Sequence, residues 1–497
     1  MDRVTPPKKK LLSRIFGNRL TYTLFSLLVV VLGSYFAIQY ARGNWRVTDD
    51  GVAVNTGLLN ANSFPNGAQV FVNDKLITAT DDTIYLNPDI YQVRIVKEGY
   101  STWQKELSIQ KELVTQTNAT LFPIAPSITP LTFTGVSNIH PSPDGQKVLF
   151  YVNEANPTSK NGFYVLELTS NLLSLQNGPK QITDDVPEYQ LATAHVIWSP
   201  DSNEVMVLLD ESLSGKEFLL DISKKTNLLQ ELDISYTRKN TLSAWEEEIY
   251  QKERQYLAKF PDEIIEVATT SAKNVYISPD KKRILYTATA SSTLAEDLIP
   301  PIPATSNQAE ERNLIPGNIY VYDREEDKNF RVLSDTERPY LSITDLLNGQ
   351  ATASAEMILP IKQTETELMS TLIVDKYVLS DDLDQLELRQ LDASPEAFLR
   401  LQATDHENKM QTAINFANYY TGVQLNSLQW FPDSKHLLYV SDNKIHIMEY
   451  DGQNNTVIYS GPFAEEFVYP WPDGSKLIIN TSFSPDSPFN LYAITLK

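Results

Sequence analysis

Five histidines and 63 carboxylates are the residues of this 497-residue chain from which acid–base or metal chemistry could be built. The histidines are His140, His195, His406, His436 and His446. No two have zinc-ligand spacing, and no His-Glu-x-x-His string occurs. His140 and His195 each start a segment that runs into a Pro-Asp turn, from which a side chain could face a central channel. A structural role is the simpler expectation for both, and for His446, which falls mid-strand. Glu246-Glu247-Glu248 has the look of a solvated helix face rather than an acid–base pair. No calcium-loop spacing, glycine-rich phosphate loop or Gly-x-Ser-x-Gly elbow is present. With no cysteine, thiol nucleophiles, disulfides and iron–sulfur clusters are excluded. The expectation is a protein that is not an enzyme, with no catalytic, cofactor-binding or metal residue and no cofactor.

The charge is unevenly placed. Net charge is −21, yet residues 1–19 hold six basic side chains against Asp2, so the remainder carries about −26. Such an acidic surface repels nucleic-acid phosphate and favours solubility. Leu20 to Ala41 is an uncharged apolar run with tyrosines toward its ends, Tyr22, Tyr35 and Tyr40. About 20 such residues span a bilayer core, and the basic tail on one side sets the orientation. The expectation is a basic cytoplasmic tail (1–19), a transmembrane helix (20–41) acting as an uncleaved signal-anchor, a polar stalk (42–57), and a bulk outside the cytoplasm. Gln39-Tyr40-Ala41 is a poor signal-peptidase site, which argues against cleavage.

After the stalk the pattern turns to strands. Pro65-Asn66-Gly67-Ala68 is a turn string before Gln69-Val70-Phe71-Val72. Asn73-Asp74-Lys75 reads as a tight turn, and Tyr91 to Ile95 alternates polar with apolar. Pro65/Gly67/Ala68, Pro88/Tyr91 and Gly99/Tyr100 resemble the PEGA domain, with Asp89 where that family usually has glycine. The resemblance covers 58–123. It implies a small β-sandwich of the bacterial cell envelope, used as a spacer or wall-binding module. Tyr91, Tyr100 and Trp103 are expected in its core, with a ligand-facing aromatic patch as the alternative.

The rest of the chain carries an internal repeat. Ser142-Pro143-Asp144-Gly145 is followed by Val148 to Tyr151. Trp198-Ser199-Pro200-Asp201, Ser278-Pro279-Asp280, Trp430-Phe431-Pro432-Asp433 and Trp471-Pro472-Asp473-Gly474 precede equivalent runs. Proline presets the first turn corner, aspartate accepts bonds from the next amides, and glycine takes the left-handed position. Ser202, Lys281 and Ser434 stand where glycine is best, so those turns look less ideal. A third strand follows each time, for example Ile319-Tyr320-Val321-Tyr322-Asp323, with room for a fourth.

These strings resemble the TolB-like, WD-like β-propeller repeat. The fold class expected is therefore mainly β: an N-terminal transmembrane helix, a small PEGA-like β-sandwich, then a β-propeller of about six blades over 124–497, with seven as the alternative. Insertions are expected at about 235–265, 290–316 and 340–425. In the first, Ser243-Ala244-Trp245-Glu246 matches a capping box opening a helix to about Lys259, with Leu242, Trp245, Ile249 and Tyr256 on one face. The second reads as a long exposed loop. In the third, Ser394-Pro395-Glu396 is a credible helix start. Function follows as a non-enzymatic, membrane-anchored extracytoplasmic binding or scaffold protein, whose partner is a protein or cell-wall polymer, not nucleic acid. An envelope-polymer enzyme with a site in the propeller channel is one alternative. A sensor working through a membrane partner is the other.

Overall fold

The computed structural model describes residues 18–41, 45–47, 53–155, 157, 160–168, 178–209, 215–300, 309–334, 428–465, 467–485 and 487–497. His406, the helix start at Ser394 and the whole 340–425 insertion lie outside them. The chain divides into two compact units, residues 1–97 with 103–120, and residues 98–102 with 121–497.

Helix α1 runs from Asn18 to Ala41, and its side chains are described over 22–38, every one of them exposed. No helix among the described residues is long and apolar enough to cross a membrane. The span expected over 20–41 therefore rests on the sequence. Within the expected stalk, Trp45–Val47 pairs antiparallel with Ala53–Asn55, so these residues form a ladder instead of a plain polar spacer.

The first unit contains a four-stranded antiparallel sheet, in the order Lys75–Ala79, Gln69–Val72, Asp89–Val96, Trp103–Ile109. Asn73 and Asp74 both take positive φ, which gives the two-residue hairpin turn the sequence announced. A second sheet places Val114–Gln116 and Asp82–Leu86 on either side of Gly57–Ala61. Alternate residues Trp103, Lys105, Leu107 and Ile109 are buried, the period-two signature of a strand with one covered face. Trp103 is a core residue, while Tyr91 and Tyr100 are only half-buried. The segment from Ala119 to Phe122 does not extend this sheet. Ala119–Thr120 pairs in parallel with Ser63–Phe64.

Among the described residues, the second unit contains five sheets of three or four strands. Sheet I joins Ser137–Pro141, Lys147–Val152, Gly162–Glu167 and Lys180–Gln181. Sheet II has three strands, His195–Trp198, Glu204–Leu208 and Glu217–Asp221. Sheet III joins Ala272–Ile277, Arg283–Ala288, Ile319–Asp323 and Lys328–Leu333. Sheet IV joins Gln429–Trp430, His436–Ser441, Lys444–Glu449 and Thr456–Tyr459. Sheet V runs Val468–Pro470, Lys476–Thr481, Asn490–Thr495, and takes its fourth strand, Ile128–Pro130, from the other end of the unit. Each of the third strands is where the sequence placed it. No sheet closes on itself among the described residues.

The inner strands bury apolar residues on both faces where neighbouring elements cover them. Leu149 and Phe163 of sheet I pack with Trp198 and Val207 of sheet II. On the other face of sheet I, Val148 and Phe150 pack with Ile478 and Leu491 of sheet V. Sheets III and IV share Leu285, Val321, Leu437 and Met448, and sheets IV and V share Leu438, Ile447, Leu477 and Ile494.

Two insertions differ from expectation. Helix α2 spans Arg238–Leu257, so Ser243 is inside it rather than capping it. Its first turn is fixed instead by Arg238, whose guanidinium meets the buried carboxylate of Glu217 at 2.6 Å. Leu242, Trp245 and Ile249 are buried as expected. After Pro261 a second helix, α3 (Asp262–Thr270), buries Ile264, Val267 and Ala268. Most described residues of the 290–316 insertion are exposed as expected, but its two ends are paired and anchored. Ser292–Thr293 pairs with Asn313–Leu314, and Leu294 and Leu314 are core residues of sheet III. Polar bolts add to this: Tyr286 donates to Asn329 Oδ1 at 2.8 Å, and the Asn329 amide donates to the Glu311 carbonyl.

The five turns repeat one geometry. The amides of Gly145, Ser202, Lys281, Ser434 and Gly474 each donate to the carbonyl three residues back, at 2.8–3.0 Å. All five take φ between 58° and 71°. The two serines are not compromises. Ser202 and Ser434 are buried, and their hydroxyls accept the amides of Asp144 (3.1 Å) and Asp280 (3.0 Å) from the neighbouring sheet. Their carbonyls accept Lys147 Nζ and Arg283 Nη1, and Trp198 and Trp430 donate back to the carbonyls of His140 and Tyr276. Sheets I–II and III–IV are thus joined by the same three bonds. Glycine is kept where the neighbour presses instead: a Cβ at Gly474 would lie 2.9 Å from Phe431, and one at Gly145 3.2 Å from the Tyr469 hydroxyl.

Removing the Ser434 hydroxyl (Ser434→Ala) leaves the Asp280 amide without its partner. The expected cost is about 1–3 kcal/mol, read as a lowered urea midpoint of the full chain in detergent; Ser202→Ala is expected to behave alike.

Candidate functional site

The turns also define a cavity. Pro143–Gly145 of sheet I, Tyr276–Ile277 with Pro279 of sheet III, Leu428–Trp430 with Pro432 of sheet IV, and Tyr469–Pro470 with Pro472 of sheet V line a space of about 540 Å³. Four sheets reach it with the same part of the repeat, because the proline that sets each turn projects beside the aspartate. The lining is proline and aromatic side chains with few charges. Lys281, which also lines it, holds its ammonium 4.3 Å from the centre of the Tyr256 ring on α2.

Most polar groups here are already engaged in structure. In the turn of sheet I, Ser142 Oγ donates to Asp144 Oδ1 (2.5 Å) and accepts the Lys147 amide, while Asp144 accepts the Gln146 amide and pairs with Lys147 at 3.2 Å. Asp201 and Asp280 repeat this arrangement with Ser199 and Ser278. The Ser199 hydroxyl is the main reason the Asp201 carboxyl titrates below its usual range. The Trp430 indole is spent on sheet III. The Gln429 amide donates to the Val468 carbonyl of sheet V at 3.0 Å. Burial and the charge of Asp144 push the Tyr469 hydroxyl far up, so it stays neutral and available as a hydrogen-bond group.

The histidines do not gather here. His140 sits beside Asn138 (Nε2 to Oδ1, 2.6 Å) and His195 is buried opposite Leu208; neither lines the cavity. His446 stacks on Tyr439 with ring centres 4.9 Å apart, and burial lowers its pKa. His436 is buried, packed edge-on to Phe122 and Phe431, with Nδ1 2.7 Å from Asp433. Burial alone would raise the Asp433 carboxyl, but His436 and the amides of Lys435 and His436 overcome it, and its pKa falls. Glu247 and Glu248 bond Gln251 and Lys252 one turn on, the solvated face expected of them. No group of three or more metal-ligating side chains occurs among the described residues. The residues that line the cavity, Tyr276, Trp430 and Tyr469, were not singled out as site residues by sequence reasoning. Their signal was present: each is an aromatic residue one or two places before a motif turn.

Residues 56–124 match the PEGA domain, close to the 58–123 expected. No curated protein matches the chain. Among solved structures, a putative TolB from Agrobacterium tumefaciens is 12% identical, covering 73% of this chain and 79% of its own, at a TM-score of 0.19. TolB from Acinetobacter baumannii is 11% identical over 82% of this chain, also at 0.19, and this chain spans 59% of that one. The Dos1 propeller is 9% identical over 91% of this chain and 82% of its own, at 0.18. TM-scores this low carry no argument about the arrangement of the sheets, which rests on the bonds and packing described above.

The lowered Asp433 pKa has a sign. Its unfolded value is near 3.8, so the stability it contributes is complete above that pH and is lost as pH falls through the lower folded value. Asp433→Asn is expected to be less stable than the parent at pH 7. The gap should narrow in urea melts as pH drops below about 4.

Proposed function

We propose that this protein is a membrane-anchored, extracytoplasmic binding protein without catalytic activity, in which the sheets are propeller blades and the mouth of the cavity lined by four of them receives an extended segment of a partner protein. The anchor is the uncharged run at 20–41 with the basic tail before it. The PEGA domain supports a place in the cell envelope, as a spacer between membrane and binding face.

The observation that carries this reading is the convergence of four proline-bearing turns on one cavity lined by Tyr276, Trp430 and Tyr469. Proline and aromatic surfaces suit an extended or proline-containing peptide, which brings little conformational entropy to lose and stacks on flat rings. Catalysis would need carboxylates or histidines free to exchange protons at the cavity, whereas Asp144, which lines it, is tied into its turn.

The test is crosslinking in intact cells followed by co-purification on a C-terminal tag. The parent chain is expected to bring down a membrane or envelope protein in stoichiometric amount. Pro143→Arg, an exposed position at the cavity wall, is expected to lose it, while Pro143→Ala, which relaxes the turn equally without blocking the cavity, keeps it; both should lower stability by no more than about 1 kcal/mol in urea melts. Recovery of the chain alone, or with cell-wall fragments only, would reject the protein-binding reading.

A further inference from the structure

Lys281 breaks the pattern of the turns. It holds the left-handed position of sheet III, with φ 63°, where the other four turns have serine or glycine. Ser202 and Ser434 use that position to bind the neighbouring sheet, and Gly145 and Gly474 use it for close approach. The Lys281 ammonium is turned elsewhere, 4.3 Å from the centre of the Tyr256 ring on α2. The ammonium of Lys259, just beyond the end of α2, lies 5.5 Å from the same ring. Two cations held against one ring repel each other, and an anion beside them relieves that repulsion.

The neighbouring carboxylates are spent on other cations. Asp280 pairs with Arg283 (3.5 Å), Asp323 with Arg283 (2.7 Å), Glu325 with Lys282 (2.8 Å) and Glu248 with Lys252 (2.6 Å). Among the described residues, the ammonium groups of Lys281 and Lys259 make no ion pair and no hydrogen bond. Lys281 also lines the cavity, and of the described residues there only it and Asp144 are charged. Asp144 is balanced by Lys147 at 3.2 Å and bonded within its own turn. The uncompensated charge at the cavity wall is therefore positive, in a chain of net charge −21.

We infer that Lys281, with Lys259 behind it, selects what the cavity accepts: an extended peptide segment whose proline or apolar residues fill the proline–aromatic space and whose aspartate or glutamate carboxylate pairs with the Lys281 ammonium. This rests on the cavity as the binding face and adds to it the charge of the segment. Lys281 is half-buried beside apolar walls, where a charge pair is screened less than in open water. At about 0.15 M salt the repulsion from the acidic surface is screened beyond about 8 Å, so the direct contact decides.

The probes are three fluorescent peptides of about eight residues that alternate proline with glutamate, glutamine or lysine. Each is titrated into the detergent-solubilised full chain at that salt, and binding is read by anisotropy. The glutamate peptide is expected to bind at least about tenfold (~1.4 kcal/mol) tighter than the glutamine peptide. Lys281→Gln should remove that preference, Lys281→Arg should keep it, and Lys281→Glu should turn it toward the lysine peptide. All three variants place an unbranched side chain on the same left-handed backbone, so urea melts compare them fairly. If Lys281 only clamps α2 through Tyr256, Lys281→Gln lowers the urea midpoint and leaves the glutamate preference intact, and that result overturns the inference. Equal binding of the glutamate and glutamine peptides by the parent chain also overturns it, while leaving the cavity as a binding face without a charge preference. Binding of none of the peptides overturns it too, and the wider reading then stands or falls on the co-purification above.

Discussion

A turn residue that is held in the left-handed region and also reaches into the next sheet is the constraint on which the second unit depends. A lone sheet with two apolar faces is insoluble; it persists only if neighbours cover both faces at a fixed angle. Apolar packing supplies the driving force but little direction. Direction comes from the bonds at Ser202 and Ser434, each of which takes an amide and a cationic side chain from the adjoining sheet. Where glycine holds the same position, steric contact with Tyr469 or Phe431 fixes the approach instead.

The cavity follows from that constraint. Turns joined to one another near one end of the sheets must bring their prolines together, so a proline-lined space is a product of the scaffold. This explains why the aspartates, though repeated and acidic, are poor candidates for chemistry. Their oxygens are committed to turn amides and, in Asp144, Asp201 and Asp280, to serine hydroxyls, or in Asp433 to the His436 ring. Function is left to surfaces the joints do not consume, namely the aromatic residues just before the turns.

Much of this was legible in the sequence. The Pro-Asp turns, the strands after them and the third strands all stood out because proline, aspartate and alternating β-branched residues act locally. The PEGA-like segment was readable for the same reason, through Pro65, Gly67 and the Asn73-Asp74 turn. What was not legible depends on contacts between distant residues. Ser202 and Ser434 looked like weak substitutes for glycine, since nothing local reveals that a hydroxyl finds an amide 58 or 154 positions away. The start of α2 was misplaced because the Glu217–Arg238 pair, not the Ser243 capping box, sets it. The loop at 290–316 looked free because its anchors, Asn329 and Tyr286, lie in other strands. The fourth strand of sheet V comes from Ile128–Pro130, which no local pattern could assign.

Native-state amide exchange at Asp144 and Asp280 tests the joint most directly. If these amides bind the serine hydroxyls of the next sheet, they should exchange as slowly as the strand amides of Lys147–Val152, and only through global unfolding. Exchange at the rate of an open turn, with the strands still protected, would contradict the joint and the arrangement of sheets derived from it.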